Sequence, residues 1–175
     1  MNSYVTTTVA NDLYRSRFYR VFPIYHHART ELLARSPVRR DVLTPEYQDY
    51  VSKLIRGKRV DTIVLITPGN IDFSGGQYYG SIWWARGYGV FNRSFMFMQT
   101  NTVFAAYDVY VIDAKTFRVL ANASGSFQIR PHNVLIAWHK GYAGVTPQTL
   151  SIIRSVIRKK MPEYLTGLVH QTGLP

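Results

Sequence analysis

Residues 106–125 read AYDVYVIDAKTFRVLANASG, and this stretch decides the fold. Alternating apolar and aromatic residues on both sides of Asp113-Ala114-Lys115-Thr116 are typical of two β-strands. The four central residues have the chemistry of a tight turn. The sequence therefore predicts a β-hairpin. Side chains alternate along a strand, so Asp108, Tyr110 and Ile112 are expected on one face of the first strand.

Two helices are predicted outside this hairpin, over 44–56 and 146–161. Each begins with Thr-Pro, an N-cap residue followed by proline at the first helical position. Gly57 is a stop signal for the first helix, and Pro162 is expected to interrupt the second. One apolar face marks the first helix, formed by Tyr47, Tyr50, Val51, Leu54 and Ile55. The buried face of the second is expected to carry Leu150, Ile153, Val156, Ile157 and Met161.

The remaining segments predict shorter elements and loops. The β-branched run at 60–66 predicts a strand covered on both faces. Residues 36–43 and 69–76 are interpreted as loops, the first of them polar and basic. Residues 77–91 are typical of a strand with bends at its glycines. Residues 24–35 have helical propensity.

Length and composition favour one α+β domain covering residues 1–175. We expect a mixed, mainly antiparallel sheet of about four to six strands with the helices packed on one face. Residues 5–20 show no clean helical stripe. No apolar run reaches the ~20 residues that a membrane-spanning helix needs, so no transmembrane segment is expected.

The chain is strongly basic, with 21 Lys and Arg against 10 Asp and Glu and a net charge of +11. Such a charge favours a polyanionic partner such as nucleic acid, anionic lipid or an acidic protein face. The alternative is a solvated basic surface that only aids solubility. The absence of cysteine excludes disulfides and thiolate chemistry. The densest basic clusters are Arg35, Arg39 and Arg40; Lys53, Arg56, Lys58 and Arg59; and Arg154, Arg158, Lys159 and Lys160.

No catalytic or metal-binding motif stands out, and we expect no cofactor. The loop at 72–76 lacks both the spacing of a nucleophile elbow and the lysine of a phosphate-binding loop. An enzyme that uses His132 or His139 with Ser74 or Asp108 is a weaker hypothesis, because those groups would have to converge in one pocket. The sequence therefore favours a non-enzymatic protein.

The most unusual feature is the aromatic density of residues 77–91, QYYGSIWWARGYGVF. Exposed tyrosine, tryptophan and arginine often anchor interfaces, and they also form stacking platforms for bases. The alternative is that the rings fill the core. Adjacent residues of a strand face opposite sides, so one member of each aromatic pair is expected to be exposed or covered by another subunit. The predicted binding residues are Tyr78, Tyr79, Trp83, Trp84, Arg86, Tyr88 and Arg93.

Residues Tyr107–Leu120 follow the pattern Y-D-V-x-V-x-D-A-K-T-x-x-V-L. In this pattern the chain resembles small α/β domains of bacterial cell-envelope lipoproteins. The resemblance implies an exported, non-catalytic module that binds a protein partner or assembles with itself. It favours the periplasm or cell envelope if a signal sequence was removed, and the cytoplasm otherwise. The alternative function is a basic nucleic-acid-binding domain of the single-strand type.

Overall fold

The structure is a computed structural model that describes residues 2–17, 19–24, 36–73, 84–95, 98–130 and 146–174. These residues form three helices, α1 (Asn2–Arg15), α2 (Pro45–Ile55) and α3 (Pro147–Gln171). They also form eight strands: β1 (Val38–Arg39), β2 (Val42–Leu43), β3 (Thr62–Pro68), β4 (Asn70–Asp72), β5 (Trp84–Arg86), β6 (Tyr88–Phe95), β7 (Met98–Asp113) and β8 (Val119–Ile129). No helix within these ranges is long and apolar enough to cross a bilayer.

The fold is organised around β7, which has neighbours on both sides. β8 pairs antiparallel with β7 on one side, where Tyr107 lies opposite Gly125. On the other side β3 and β6 pair antiparallel with successive parts of β7, so that they lie end to end. The predicted α+β fold with a mainly antiparallel sheet is confirmed, and so is the predicted hairpin, which is β7 and β8.

The turn of this hairpin is held by the Asp113 carboxylate. Its Oδ1 accepts hydrogen bonds from the backbone N–H of Thr116 at 2.6 Å, from the Thr116 hydroxyl at 2.8 Å and from the Lys115 N–H at 3.0 Å. The bonds from Thr116 are the main reason that the pKa of Asp113 lies below its usual value. The polar residues of this turn therefore act as the sequence predicts.

The odd-numbered side chains of β7 face α1 and α3, and we call this side of the sheet the helix face. Val103, Ala105 and Val109 are completely buried there. α1 contributes a stripe of buried apolar side chains, which corrects the expectation that residues 5–20 have no clean helical stripe. α3 covers the rest of the helix face. The helical residues of this core include Val5, Val9, Leu13, Ile157, Met161 and Leu165.

The even-numbered side chains of β7 form the outer face, and α2 packs on it. Ile112 is buried against Tyr47 and Val51 of α2 and Leu43 of β2. The expectation that the helices share one face is therefore wrong for α2, since the alternation of β7 buries apolar groups on both faces. The strand predicted at 60–66 corresponds to β3, and its side chains contact both cores.

Helix α3 does not stop at Pro162 but continues to Gln171, which corrects the predicted interruption. A proline has no N–H to donate to the carbonyl four residues earlier, here that of Arg158. The Tyr4 hydroxyl of α1 donates to this carbonyl at 3.2 Å. The residues after Pro162 also bury Leu165, Leu168 and Val169. Packing against α1 and the sheet therefore stabilises the longer helix.

Other expectations about loops also need correction. Residues 36–43 are not a plain loop: they contain β1 and β2, joined by Arg40 and Asp41 with φ of 52° and 58°. Residues 69–76 include β4. Within 77–91, a break at Gly87, where φ is 78°, separates β5 from β6. The helix predicted over 24–35 lies almost entirely outside the described residues.

A tyrosine of α3 enters the hydrogen-bond ladder between β7 and β8. The Tyr164 hydroxyl accepts from the Tyr107 N–H at 3.0 Å and donates to the carbonyl of Gly125. The missing side chain at Gly125 makes room for Leu168, the neighbour of Tyr164 on the same face of α3, because a Cβ there would lie 2.9 Å from Leu168 Cδ2. Burial raises the pKa of Tyr164 to about 12. This hydroxyl therefore links α3 directly to the sheet.

Candidate binding surface

The β4–β5 hairpin leaves the main sheet and returns to it at one residue of β7, Ala106. The Gly69 N–H donates to the Ala106 carbonyl at 2.9 Å, and the Ala106 N–H donates to the Gly87 carbonyl at 2.6 Å. A third bond, from the Gly87 N–H to the Gly69 carbonyl at 2.9 Å, closes the base of the hairpin. β3 and β6 thus continue one another along β7, and the hairpin is an excursion between them.

Two glycines make this junction possible. A Cβ at residue 69 would lie 3.0 Å from Asp108 Oδ1 and 3.1 Å from backbone atoms of Tyr107. Gly87 has a φ of 78°, which side-chain-bearing residues rarely adopt, and a Cβ there would lie 3.3 Å from Pro68. The start of the hairpin against β7 therefore depends on the missing side chain at Gly69, and its return depends on the positive φ of Gly87.

The base of the hairpin packs on the outer face through an aromatic cluster. Phe73 stacks on Phe91 with ring centroids 4.3 Å apart and meets Phe104 edge-on at 5.1 Å. Ile71 and Ala106 are buried in the same cluster. Offset and edge-on ring pairs add stability beyond the buried area. The strands of the hairpin are therefore held at a defined position on the sheet.

Between this hairpin and α2 lies a polar group of side chains that we call the arginine–tyrosine cluster: Tyr47, Tyr50, Arg86, Asp108 and Tyr110. Arg86 is exposed, and its Nε donates to the Pro68 carbonyl at 3.0 Å. Burial raises the pKa of all three tyrosines, of which Tyr47 is fully buried. The nearby Asp108 raises that of Tyr110 further, while the charge of Arg86 opposes the rise at Tyr47 and Tyr110.

At neutral pH the partly exposed phenols of Tyr50 and Tyr110 are protonated and lie near the exposed guanidinium of Arg86, while Tyr47 is buried. A phenol both donates and accepts, and a guanidinium donates up to five hydrogen bonds in a planar fork. Such groups recognise carbonyls, carboxylates and aromatic rings. Within the described ranges, no three His, Cys, Asp or Glu side chains are placed to hold a metal ion.

The predicted binding residues are distributed as follows. Tyr78, Tyr79 and Trp83 lie outside the described residues. Trp84 lies in β5 opposite Asp72, and Arg93 lies in β6 opposite Thr100; only their backbones are described. Arg86 belongs to the arginine–tyrosine cluster near the outer face. Tyr88 pairs with Ala105 and lies on the helix face, where it is 43% exposed. The structure therefore separates Arg86 from Tyr88.

Sequence reasoning missed the tyrosines of the cluster, because Tyr47 and Tyr50 were assigned only to the apolar face of a helix. Their hydroxyls were the signal, since a buried phenol needs a polar environment. Asp108 lies on the outer face with Tyr110 and Ile112, as the strand alternation predicts. The other groups of the enzyme hypothesis, His132, His139 and Ser74, lie outside the described residues.

Two open cavities lie away from this cluster. One has a volume of about 530 Å³ and lies between β8 and the second half of α3. The other, of about 580 Å³, is lined by α3 residues Pro147, Ser151, Arg154, Ser155, Arg158 and Lys159. Its three basic side chains are exposed. This cavity contains most of the third basic cluster found in the sequence.

Comparisons of the chain with protein-family models, with curated proteins and with solved structures find no match. The candidate binding surface is the β4–β5 hairpin, with the exposed guanidinium of Arg86 and the partly exposed phenols of Tyr50 and Tyr110 at its base.

Proposed function

We propose that the protein is a non-enzymatic binding or assembly module that uses the β4–β5 hairpin and the arginine–tyrosine cluster to bind a second copy of itself or another protein. The observation that carries this proposal is the junction at Ala106. The ladder along β7 passes from β3 to β6 through the bonds of Gly69 and Gly87, so the sheet does not need the hairpin for its continuity. The segment that it carries contains the densest aromatic sequence of the chain.

The chemistry of this region supports a protein partner. Arginine, tyrosine and tryptophan are the residues that most often dominate binding energy at protein interfaces. The resemblance of Tyr107–Leu120 to cell-envelope lipoprotein domains supports placing this module in a bacterial cell envelope. Assembly with a second copy is the form of the proposal that can be tested with the purified chain alone.

We expect Arg86→Ala to weaken self-association about tenfold, because the exposed guanidinium is the cation of the proposed interface. Trp83→Ala or Trp84→Ala, whichever removes an interfacial ring, is expected to cost about 2 kcal/mol or more of association free energy. Sedimentation velocity over a concentration series measures association, and thermal melting measures stability. The matched control is Arg118→Ala, which removes an exposed arginine beyond the turn of the β7–β8 hairpin.

Two results would contradict assembly through this surface. One is equal weakening by Arg86→Ala and Arg118→Ala, which would indicate a general charge effect. The other is loss of the fold in both tryptophan variants, which would place both rings in the core. A chain that stays monomeric at every concentration would exclude a second copy as the partner.

The basic cavity on α3 favours a second candidate function, single-stranded nucleic-acid binding. Arg154, Arg158 and Lys159 are neighbours there, and two serines add hydroxyl donors. Fluorescence anisotropy with a single-stranded oligonucleotide should show affinity that falls steeply with salt, because phosphate contacts release counterions. Replacing the three basic residues by glutamine should abolish it. Absence of binding at low salt would exclude this function.

A further inference from the structure

Three exposed aromatic residues and three exposed arginines lie close together at the end of α1 and just after it. We call residues 14–17 and 19–24 the aromatic–arginine segment. Tyr14 is 71% exposed, Tyr19 41% and Phe22 43%, which is half of the large apolar side chains exposed within the described ranges. The arginines of the segment, Arg15, Arg17 and Arg20, are exposed as well.

The backbone of this segment is fixed on the protein. Leu13, just before it, is buried in the helix-face core, and Val21 packs against the same core. The Arg17 N–H donates to the Tyr14 carbonyl at 3.2 Å and closes the end of α1. Leu13 and Val21 face the core, whereas the side chains of the three aromatic residues and three arginines named above are exposed.

The charged side chains of the segment itself all have one sign. No acidic residue occurs between Asp12 and Glu31 in the sequence. Asp12 itself is 24% exposed, and its Oδ2 lies 3.7 Å from His170 Nε2. Arg20 lies over the Phe22 ring at 5.1 Å from its centroid, so a cation and a ring are presented together. A partner that fits must offer anionic groups beside apolar material.

We propose that the aromatic–arginine segment binds the surface of a membrane that contains anionic phospholipids. Aromatic rings insert at the depth of the headgroups, while arginines pair with lipid phosphates and add to the attraction of the charged surface. The segment presents its rings at a helix end, and the two cavities described above lie elsewhere. Projecting rings suit a soft, flat interface better than the groove that single-stranded nucleic acid follows.

This inference goes beyond the proposed function and is independent of it. α1 packs on the helix face of the sheet, whereas the β4–β5 hairpin packs on the outer face. A membrane on one side would therefore leave the arginine–tyrosine cluster accessible on the other.

Co-sedimentation with vesicles tests the proposal. The chain should bind vesicles that contain phosphatidylglycerol and not vesicles of phosphatidylcholine alone, and added salt should weaken the binding. The triple variant Arg15→Gln, Arg17→Gln, Arg20→Gln should lower the partition coefficient on the order of a hundredfold, since each arginine near an anionic surface contributes about fivefold. The control changes the net charge equally on α3: Arg154→Gln, Arg158→Gln, Lys159→Gln. It should retain most of the binding.

The contribution of the rings is tested at constant charge. Tyr14→Ser with Phe22→Ser should lower partitioning roughly tenfold, because apolar surface no longer enters the interface. If thermal melting shows that the double variant is unfolded, Tyr14→Ser alone, which changes the most exposed ring, tests the same point. No binding to anionic vesicles, or equal loss in the two triple variants, would overturn the proposal. Competition by a single-stranded oligonucleotide, with loss in the same arginine variant, would show a nucleic-acid surface instead.

Discussion

Replacing Gly69 by alanine is expected to lower the free energy of unfolding by about 2–3 kcal/mol, a large effect for one methyl group. The new Cβ would lie 3.1 Å from the backbone carbon and nitrogen of Tyr107. Those atoms belong to the central strand, which neighbouring strands hold on both sides. To relieve this close contact, residue 69 would have to move away from β7, which would stretch the hydrogen bond from its N–H to the Ala106 carbonyl. Chemical denaturation of the two proteins measures the difference.

Two other glycines serve as matched controls for the same substitution. At Gly125 a Cβ would meet the end of the Leu168 side chain, which can move, so a loss of about 1 kcal/mol is expected. At Gly167, in α3, a Cβ would meet nothing within 4 Å, and alanine should stabilise the helix by about 0.5–1 kcal/mol. An equal or smaller loss at Gly69 than at Gly125 would contradict the rigidity of the junction.

Replacing Tyr164 by phenylalanine should cost about 2 kcal/mol of stability. The variant keeps the ring but removes the hydroxyl that bonds both the Tyr107 N–H and the Gly125 carbonyl. Both backbone groups would then be left without this partner inside the ladder. Tyr4→Phe is the matched control, because it also removes one hydroxyl, and water can replace that hydroxyl at the exposed Arg158 carbonyl. Its cost should stay below about 1 kcal/mol.

Alkaline titration separates the role of this hydroxyl from a general loss of packing. The pKa of Tyr164 is about 12 in the folded protein against an ordinary 10.0. The unfolded chain therefore releases this proton first, and the free energy of unfolding should fall as the pH rises from 10 to about 12. Burial also raises the pKa of Tyr107. In Tyr164→Phe the fall should be shallower, and an unchanged slope would show that Tyr164 does not contribute.

The parts of the fold that the sequence predicted correctly are those encoded by neighbouring residues. The β7–β8 hairpin follows from the alternation around Asp113, and α2 follows from Pro45 and Gly57. The stop predicted at Pro162 failed because the residues beyond it, Leu165, Leu168 and Val169, are buried against elements that are remote in sequence. The α1 stripe of Val5, Val9 and Leu13 was missed because polar threonines surround it. Two of those threonines donate hydrogen bonds to carbonyls of the preceding helical turn.

The candidate surface was only partly predictable for the same reason. Its aromatic density and Arg86 are visible in the sequence, and strand alternation places Asp108 beside Tyr110. The packing of α2 on this part of the outer face brings Tyr47 close to Arg86 and places Tyr50 beside Tyr47. No pattern among neighbouring residues in the sequence predicts where α2 packs on the sheet. The aromatic–arginine segment could have been found from its composition alone.

The junction at Ala106 also has a consequence for protein engineering and for evolution. The β4–β5 insertion starts and ends beside the same residue of β7, Ala106. Its length can therefore change without changing the register of β3 and β6 along β7. Between Phe73 and Trp84, grafted loops of other sequences should be tolerated as long as both glycines and the core-packing side chains of Ile71 and Phe73 remain. Relatives of this chain are therefore expected to differ most in this insertion while sharing the frame that displays it.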